Sequence, residues 1–486
     1  MHHIPHTMST QHPDNVHQPF FVENGMLGGE DEVQEAFYAF SHLGCDEQMW
    51  DFEGKEVDNF VVKKLLTKNE QFFKSKKLGQ DVFLTLRVPN PEVEQTEAKI
   101  LLETLESIPR SYDAARLFYG SDIAPIFEVI LPMATSAKSL NRIYHYYKDF
   151  VAGKFDKLIF SGDITIGEWI GEFRPKEINV IPLFEDKNSL LNCAEILDEY
   201  VKGKDLPYVR VFLARSDPAV NYGNIATVIL VKIALQRLYR WSQKTGIPVY
   251  PILGAGSAPF RGNLRPSTVE QLIAGYPSVH TFTIQSSFKF DNPVNVVQDA
   301  ITKLNTRQTG APVEIDEEKA LALVEIYLKV YQEQLKELII AIKKVSSFIP
   351  KRRKRKMHIG LFGYSRNVGE VQLPRAITFT AALYSLGIPP ELLAFNSLTQ
   401  QDFSFIKSFY GNIEYDLQSA CAFADFDSSY MPRDVRDATK FYAVATRNNF
   451  VHKEISSYIS QSIFSGKIED LSSHVVHAAE ARGFLG

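Results

Sequence analysis

Val209-Arg210-Val211-Phe212-Leu213-Ala214-Arg215-Ser216-Asp217 decides the fold. Its β-branched and aromatic side chains form a continuous apolar run, as in a strand buried on both faces. The run ends in charge, and a helical stretch follows. That is one unit of a parallel sheet.

The same unit recurs outward in both directions. Strand-like runs stand upstream at Gln48–Glu53, Val82–Val88, Ile126–Leu131 and Val180–Glu185. Downstream they stand at Val249–Leu253, Val279–Gln285 and His358–Gly363. With the first, that makes eight, each followed by a helical stretch, and the pattern predicts a closed (β/α)8 TIM-like barrel. An open doubly wound sheet would prefer a glycine-rich turn after its first strand, and Glu53-Gly54-Lys55-Glu56 is not one. The strands fall within roughly 46–365, a helical part covers 376–486, and the expectation is a single domain over 1–486.

In such a barrel the reactive groups gather where strands end. Glu53, Arg87, Glu185, Arg215 and Gln285 all stand at that place. A strand's last residue is often polar merely because it meets water. That explains each case singly, and explains less well two acids and two arginines in one relative position.

Composition removes several function classes. The chain of 486 residues is 45% hydrophobic and 12% aromatic, ample for a packed core. A net charge of −5 gives no pull toward nucleic acid. Cys45, Cys193 and Cys421 are too scattered for a disulfide framework or zinc site, which suits a reducing cytoplasm. No run approaches the roughly 18 apolar residues of a membrane span. His2, His3 and His6 could hold a metal, but the bland reading is a mobile end.

Four further stretches carry candidate chemistry. Gln11-His12-Pro13-Asp14-Asn15 offers a histidine, which exchanges protons near neutral pH. Glu185 and Asp217, from neighbouring strands, could hold magnesium or manganese with water and substrate oxygens. The plainer alternative has Asp217 capping a helix. Gly254-Ala255-Gly256-Ser257-Ala258-Pro259-Phe260-Arg261-Gly262-Asn263 combines small residues that admit a ligand with the donor fork of Arg261. Arg366, after the last run, and Arg375, in the first turn of a helix, are read as anion contacts, because a helix dipole opposes an arginine there.

Two stretches fit a structural reading first. Asp316 to Phe348 is a long helix with an apolar seam at Leu321, Val324, Leu328, Tyr331, Leu335, Leu338, Ile342 and Val345, packed on the barrel or in a subunit contact. The basic run Lys351–Lys356 is a solvated loop or a means of gathering anionic substrate.

At these residues the chain resembles phosphoenolpyruvate carboxylase, in its shorter archaeal type. Thr10–Asn15 is similar to the family's histidine motif, Val180–Asp186 to its metal-glutamate strand, and Ser216-Asp217 to its metal-aspartate turn. Gly254–Gly262 is similar to its glycine-arginine loop. Thr283–Gln285 with Phe288–Phe290, and Gly363–Arg366 with Leu373–Ala376, complete the order. The resemblance implies a homotetramer joining phosphoenolpyruvate and bicarbonate into oxaloacetate and phosphate. It gives Glu185 and Asp217 to the metal (magnesium or manganese), His12 to proton removal, and Arg261 and Arg375 to clamping anions. Arg366, Arg87 and Gln285 follow as substrate contacts. Arg447 and Asn448 are similar to part of an inhibitor site for aspartate or malate.

The departures are specific. Ala255 stands where larger relatives have a first loop arginine, and Val220 where they have a lysine. Phosphate contacts would then pass to Arg87, Arg210, Arg215 or Lys55. The competing reading is another magnesium-dependent, enolate-forming lyase or aldolase of the citrate-lyase kind, which needs neither His12 nor bicarbonate. A regulatory protein on a dead barrel is the non-enzymatic alternative.

Overall fold

A computed structural model describes the chain except residues 1–2, 24, 54, 56, 97, 355–366, 369–370 and 445, and the side chains of 367–368, 371 and 440–444. Eight parallel strands close into a barrel in chain order. They are β1 (Thr7–Ser9), β2 (Glu47–Asp51), β3 (Phe83–Arg87), β4 (Glu128–Leu131), β5 (Asn179–Phe184), β6 (Val209–Ala214), β7 (Val249–Gly254) and β8 (Thr281–Ile284).

Seven of the eight expected runs coincide with barrel strands. The eighth corrects the reading. His358–Gly363 lies outside the described residues, and the barrel is complete without it, its strands running from residue 7 to 284. β1 closes it, pairing Met8 with Glu47 on one side and with Thr283 on the other. Three residues are too few to show a periodicity in sequence.

Inside the barrel a small apolar layer of Met8, Met49, Ile130, Ile181, Phe212 and Ile252 sits above a charged one. There Arg210 bonds Glu47 and Glu128, with Nη2–Oε2 2.7 Å and Nη1–Oε2 2.8 Å. These are buried charges from three strands. Each needs the others, because a lone buried ion is costly.

The helical part packs on one side of the barrel. α1 (Glu30–Tyr38), α2 (Ser216–Tyr222), α3 (Asn224–Thr245), α4 (Glu317–Ser346), α5 (Ala376–Ser385), α6 (Phe450–Ser465) and α7 (Leu471–Arg482) are the elements that bear on the site. α4 is the expected long helix, capped by Asp316 through Lys319 N–H at 3.2 Å. Its seam differs at the start: Ala320, Leu323 and Tyr327 are buried, while Leu321 and Leu328 are only partly so. Tyr327 and Tyr331 reach the carbonyls of Leu393 and Val220, so the seam is covered within the chain.

In the described part of the basic run Lys351 and Lys354 are exposed, as a solvated loop would have them, but Arg353 is not. Arg353 is buried and bonds Glu32 and Glu35 of α1 at 3.1 and 2.9 Å. Lys289 completes the cluster, donating to Glu35, Ser9 Oγ and the Thr10 carbonyl. The run is thus a latch beside β1. Arg355 and Lys356 lie outside the described residues.

Candidate active site

His12 stands three residues beyond β1, at the carboxyl rim of the barrel. Its backbone is held by Ser286 N–H, which donates to the His12 carbonyl at 3.2 Å. Its Nδ1 lies 2.9 Å from Thr10 Oγ1. Burial holds the imidazole pKa well below its usual value, and the positive fields of Arg87, Arg261 and Lys55 push it further down against Asp51. The ring is therefore neutral at physiological pH and able to accept a proton.

Two of the cations around it, Arg87 and Lys55, are fixed by Asp51, at the end of β2. Arg87 grips Asp51 with two parallel bonds, Nε–Oδ1 and Nη2–Oδ2, both 2.8 Å. Lys55 lies 3.3 Å from the same carboxylate and donates to Gln11 Oε1 at 3.1 Å. Bidentate pairing sets the plane of a guanidinium as well as its position. Asp51 is a positioning residue that the sequence did not single out. The only hint was its place two positions before Glu53, one of the aligned strand ends.

Arg261 joins four parts of the chain. Its Nε donates to Ser216 Oγ at 3.0 Å, and its Nη2 to Gln285 Oε1 at 2.5 Å. Its Nη1 donates to Asp14 Oδ2 at 3.2 Å and to the Gly486 carbonyl at 2.7 Å. Asp14 is in turn held by Ser257 N–H and Ser287 N–H. Gly256 is required by the approach of the guanidinium: a Cβ there would stand 2.7 Å from Arg261 Cζ. Gln285 is buried beneath Arg261, where it orients that side chain. Asp14 and Gly486 carry no sequence signal for this contact, because it spans the whole chain.

The acids face the same rim. Glu185 follows β5, and its Oε2 accepts Met133 N–H at 2.8 Å. Its carboxyl is raised well above the usual range by burial, then by the carboxylates of Asp217 and Glu53, with Arg87 opposing. Asp217 lies within the first turn of α2, and Arg215 occupies the cap position, so capping does not explain it. Among the described residues no group of three His, Cys, Asp or Glu side chains meets at metal-binding spacing. The carboxylate of Asp217 is near enough to act on that of Glu185, and two such groups fit a hard divalent cation whose other ligands are water and substrate.

The remaining expected residues divide. Arg375 is half-buried immediately before α5, which packs against α2. Arg366 lies outside the described residues. Arg447 is exposed and Asn448 half-buried, between the segment ending at 444 and α6. Of the replacements for the absent loop arginine, Arg210 is excluded. Arg210 is committed inside the barrel, and Arg215 turns to Asn224 at 2.9 Å. Arg87 and Lys55 remain at the rim.

A closed parallel barrel with its neutral histidine, braced guanidiniums and facing acids on one rim marks a (β/α)8-barrel enzyme. The profile of the phosphoenolpyruvate carboxylase family matches residues 4–486. The chain is 55% identical over 483 residues to phosphoenolpyruvate carboxylase of Methanospirillum hungatei, covering 99% of this chain and 100% of that one. It is 54% identical over 483 residues to that of Methanothermobacter thermautotrophicus, with the same coverage. With the Pyrococcus furiosus protein of that name, identity is 51% over 488 residues, covering 99% of this chain and 100% of that one. The chain belongs to the phosphoenolpyruvate carboxylase family. Among solved structures, an HpcH/HpaI aldolase from Desulfitobacterium hafniense is similar with 15% identity and a TM-score of 0.31, over 61% of this chain and 90% of its own.

Proposed function

We propose that the chain carboxylates phosphoenolpyruvate with bicarbonate, giving oxaloacetate and phosphate. The observation that carries this reading is the placing of His12, just past β1, on the same strand-end rim as the braced cations Arg87, Lys55 and Arg261 and the acids Glu185 and Asp217. A reaction between two anions needs positive charge to gather them, and a base that stays unprotonated within it.

Bicarbonate oxygen attacks phosphorus, the bond from phosphorus to the enol oxygen breaks, and carboxyphosphate and the enolate of pyruvate result. His12 takes the carboxyphosphate proton, phosphate departs, and carbon dioxide remains beside the enolate carbon that attacks it. Arg261, braced by Asp14, Ser216 and Gln285, holds the anions in reacting distance. Arg87 and Lys55 supply the positive charge that the Ala255 position lacks, with Arg375 at the α5 start and Arg366 as further contacts.

Glu185 and Asp217 would hold the metal, magnesium or manganese. When bound it neutralises charge developing on phosphate and enolate oxygens. The family reading also carries a homotetramer, an aspartate or malate site near Arg447 and Asn448, and work in the cytoplasm, where the buried thiols of Cys45, Cys193 and Cys421 stay reduced.

The test is oxaloacetate formation, followed by coupling to malate dehydrogenase, as bicarbonate and magnesium are each withdrawn. Turnover that depends on both supports the reading. Product formed without bicarbonate would refute it.

A further inference from the structure

Next to the Arg261 loop lies a cavity that the rim chemistry does not use. Its walls come from distant parts of the chain. Arg215 stands at the end of β6, Gly262 and Asn263 follow Arg261, and Tyr410 and Asp416 belong to the helical part. About 300 Å³ there is free of atoms, part of it open to solvent. None of His12, Arg87, Arg261, Glu185 or Asp217 lines it.

Arg215 is 1% exposed, and most of its donors are idle. Its Nη2 donates to Asn224 Oδ1 at 2.9 Å, while Nε and Nη1 are buried and meet no acceptor. A charged donor shut away from water without an acceptor is costly. Its charge acts on Tyr276, Tyr410 and Asp416, which are the cavity's own walls. The cations that act on His12 are instead Arg87, Arg261 and Lys55.

The carboxylate in the walls does not answer this charge. Asp416 Oδ1 accepts Asn263 Nδ2 at 2.7 Å, and its Oδ2 accepts the Tyr410 hydroxyl at 2.6 Å. Two further cations stand close, each on a neutral partner. Arg265 donates to Asn263 Oδ1 at 2.8 Å, and the buried Lys232 to the Gly275 carbonyl. Burial, then the field of Arg215, holds Lys232 down to about 7, so its ammonium is only part charged near neutral pH. Arg215 and Arg265 stay charged, and Asp416 offsets one of them. The cluster lacks one negative charge.

We propose that this cavity binds a small monovalent anion, chloride or bicarbonate, on the free Nη1 of Arg215. Water would leave the charge unmet, and a divalent phosphate would exceed it. Asn263 Nδ2 uses one N–H on Asp416 and has a second to give. Gln271, which also lines the cavity, has a buried Oε1 with no partner, and its amide can turn its NH2 inward. The bound anion ties the loop of Arg261 to the helical part at Tyr410 and Asp416.

Nothing in this depends on the carboxylase reading, and stability is the readout. Thermal unfolding of the full chain is followed in sodium gluconate, chloride or bicarbonate at equal ionic strength. Chloride or bicarbonate should raise the unfolding temperature of the wild type. Past half-saturation, each tenfold of anion should raise the folding constant about tenfold. Arg215→Met should lose that response. The anion that acts at the lower concentration is the resident one. Anions gathered on the rim by Arg87, Lys55 and Arg261 would stabilise both proteins alike. A wild type indifferent to both anions, or a variant stabilised as much as the wild type, overturns the site. Should Arg215→Met fail to fold, crystals of the wild type grown in bromide decide. An anomalous peak beside Arg215 Nη1 supports the site, and a cavity holding only water overturns it.

Discussion

Arg261 and Asp14 stand 247 positions apart in the chain and meet in a fully buried ion pair, Nη1 to Oδ2 at 3.2 Å. The pair ties the loop after β7 to the loop after β1. Asp14 also accepts two backbone N–H groups, so its charge is satisfied from three directions. Asp14→Ala should leave the guanidinium buried without its carboxylate, at a cost of about 3–5 kcal/mol. Thermal unfolding should show the loss. Asp14→Asn, of the same shape, should keep most of the stability and lower kcat. A kcat unchanged in Asp14→Asn would remove Asp14 from the support of Arg261.

His12→Asn separates the two halves of the proposed reaction. Phosphoryl transfer precedes the proton step, so bicarbonate-dependent phosphate release from phosphoenolpyruvate should persist. Oxaloacetate should fall by about 10²–10⁴-fold, the usual worth of a positioned base. Parallel assays for phosphate and oxaloacetate check it, and wild-type carboxylation would exclude the base role.

Asp217→Asn should weaken activation by manganese at least about tenfold, since even residues behind metal ligands are worth that much. Manganese titration of activity, together with the paramagnetic signal of free manganese, reads the change. Unaltered manganese dependence would take Asp217 out of the metal shell.

Glu391 is buried, and its pKa is pushed up to about 7, chiefly by burial. It accepts Phe260 N–H beside the Arg261 loop and the Tyr384 hydroxyl, the latter at 2.8 Å. The folded chain holds this proton over a range where the unfolded chain has released it. Stability should therefore fall as pH rises from about 4.5 to about 7, by on the order of 3 kcal/mol at most. Glu391→Gln should flatten that part of the profile. Denaturant unfolding across the range gives the answer, and an equal slope in both proteins would count against a shifted Glu391.

Gly486 admits no side chain. A Cβ there would stand 2.1 Å from the Ile377 carbonyl oxygen and 2.8 Å from Ala381 N, both in α5. Gly486→Ala should displace its carbonyl from Arg261, cost about 1–3 kcal/mol as overpacking does, and lower kcat. Unfolding and steady-state kinetics on the same preparation separate the two effects. Unchanged kcat would make the contact dispensable.

Residues such as Glu185 and Asp217 were legible because they follow long apolar strands, and strand ends share one rim in a barrel. β1 was not, since Thr7-Met8-Ser9 is too short to show alternation. Without it the count of strand-like runs reaches eight only by including His358–Gly363. By sequence Arg353 is one cation in a basic run, because nothing local reveals that Glu32 and Glu35 fold over it. Asp51 and Asp14 escaped notice for a similar reason: their partners come from other strands, and no local spacing announces them.

The pairing of β1 with β8 has a consequence for biosynthesis. The first strand leaves the ribosome long before its neighbour exists, and must wait until translation reaches Thr281–Ile284. Until that partner arrives, β1 exposes one unpaired edge, and the half-made sheet is open to wrong associations. The histidine that follows β1 is held by Ser286, just past β8, so the nascent protein gains its chemistry only when the ring is sealed.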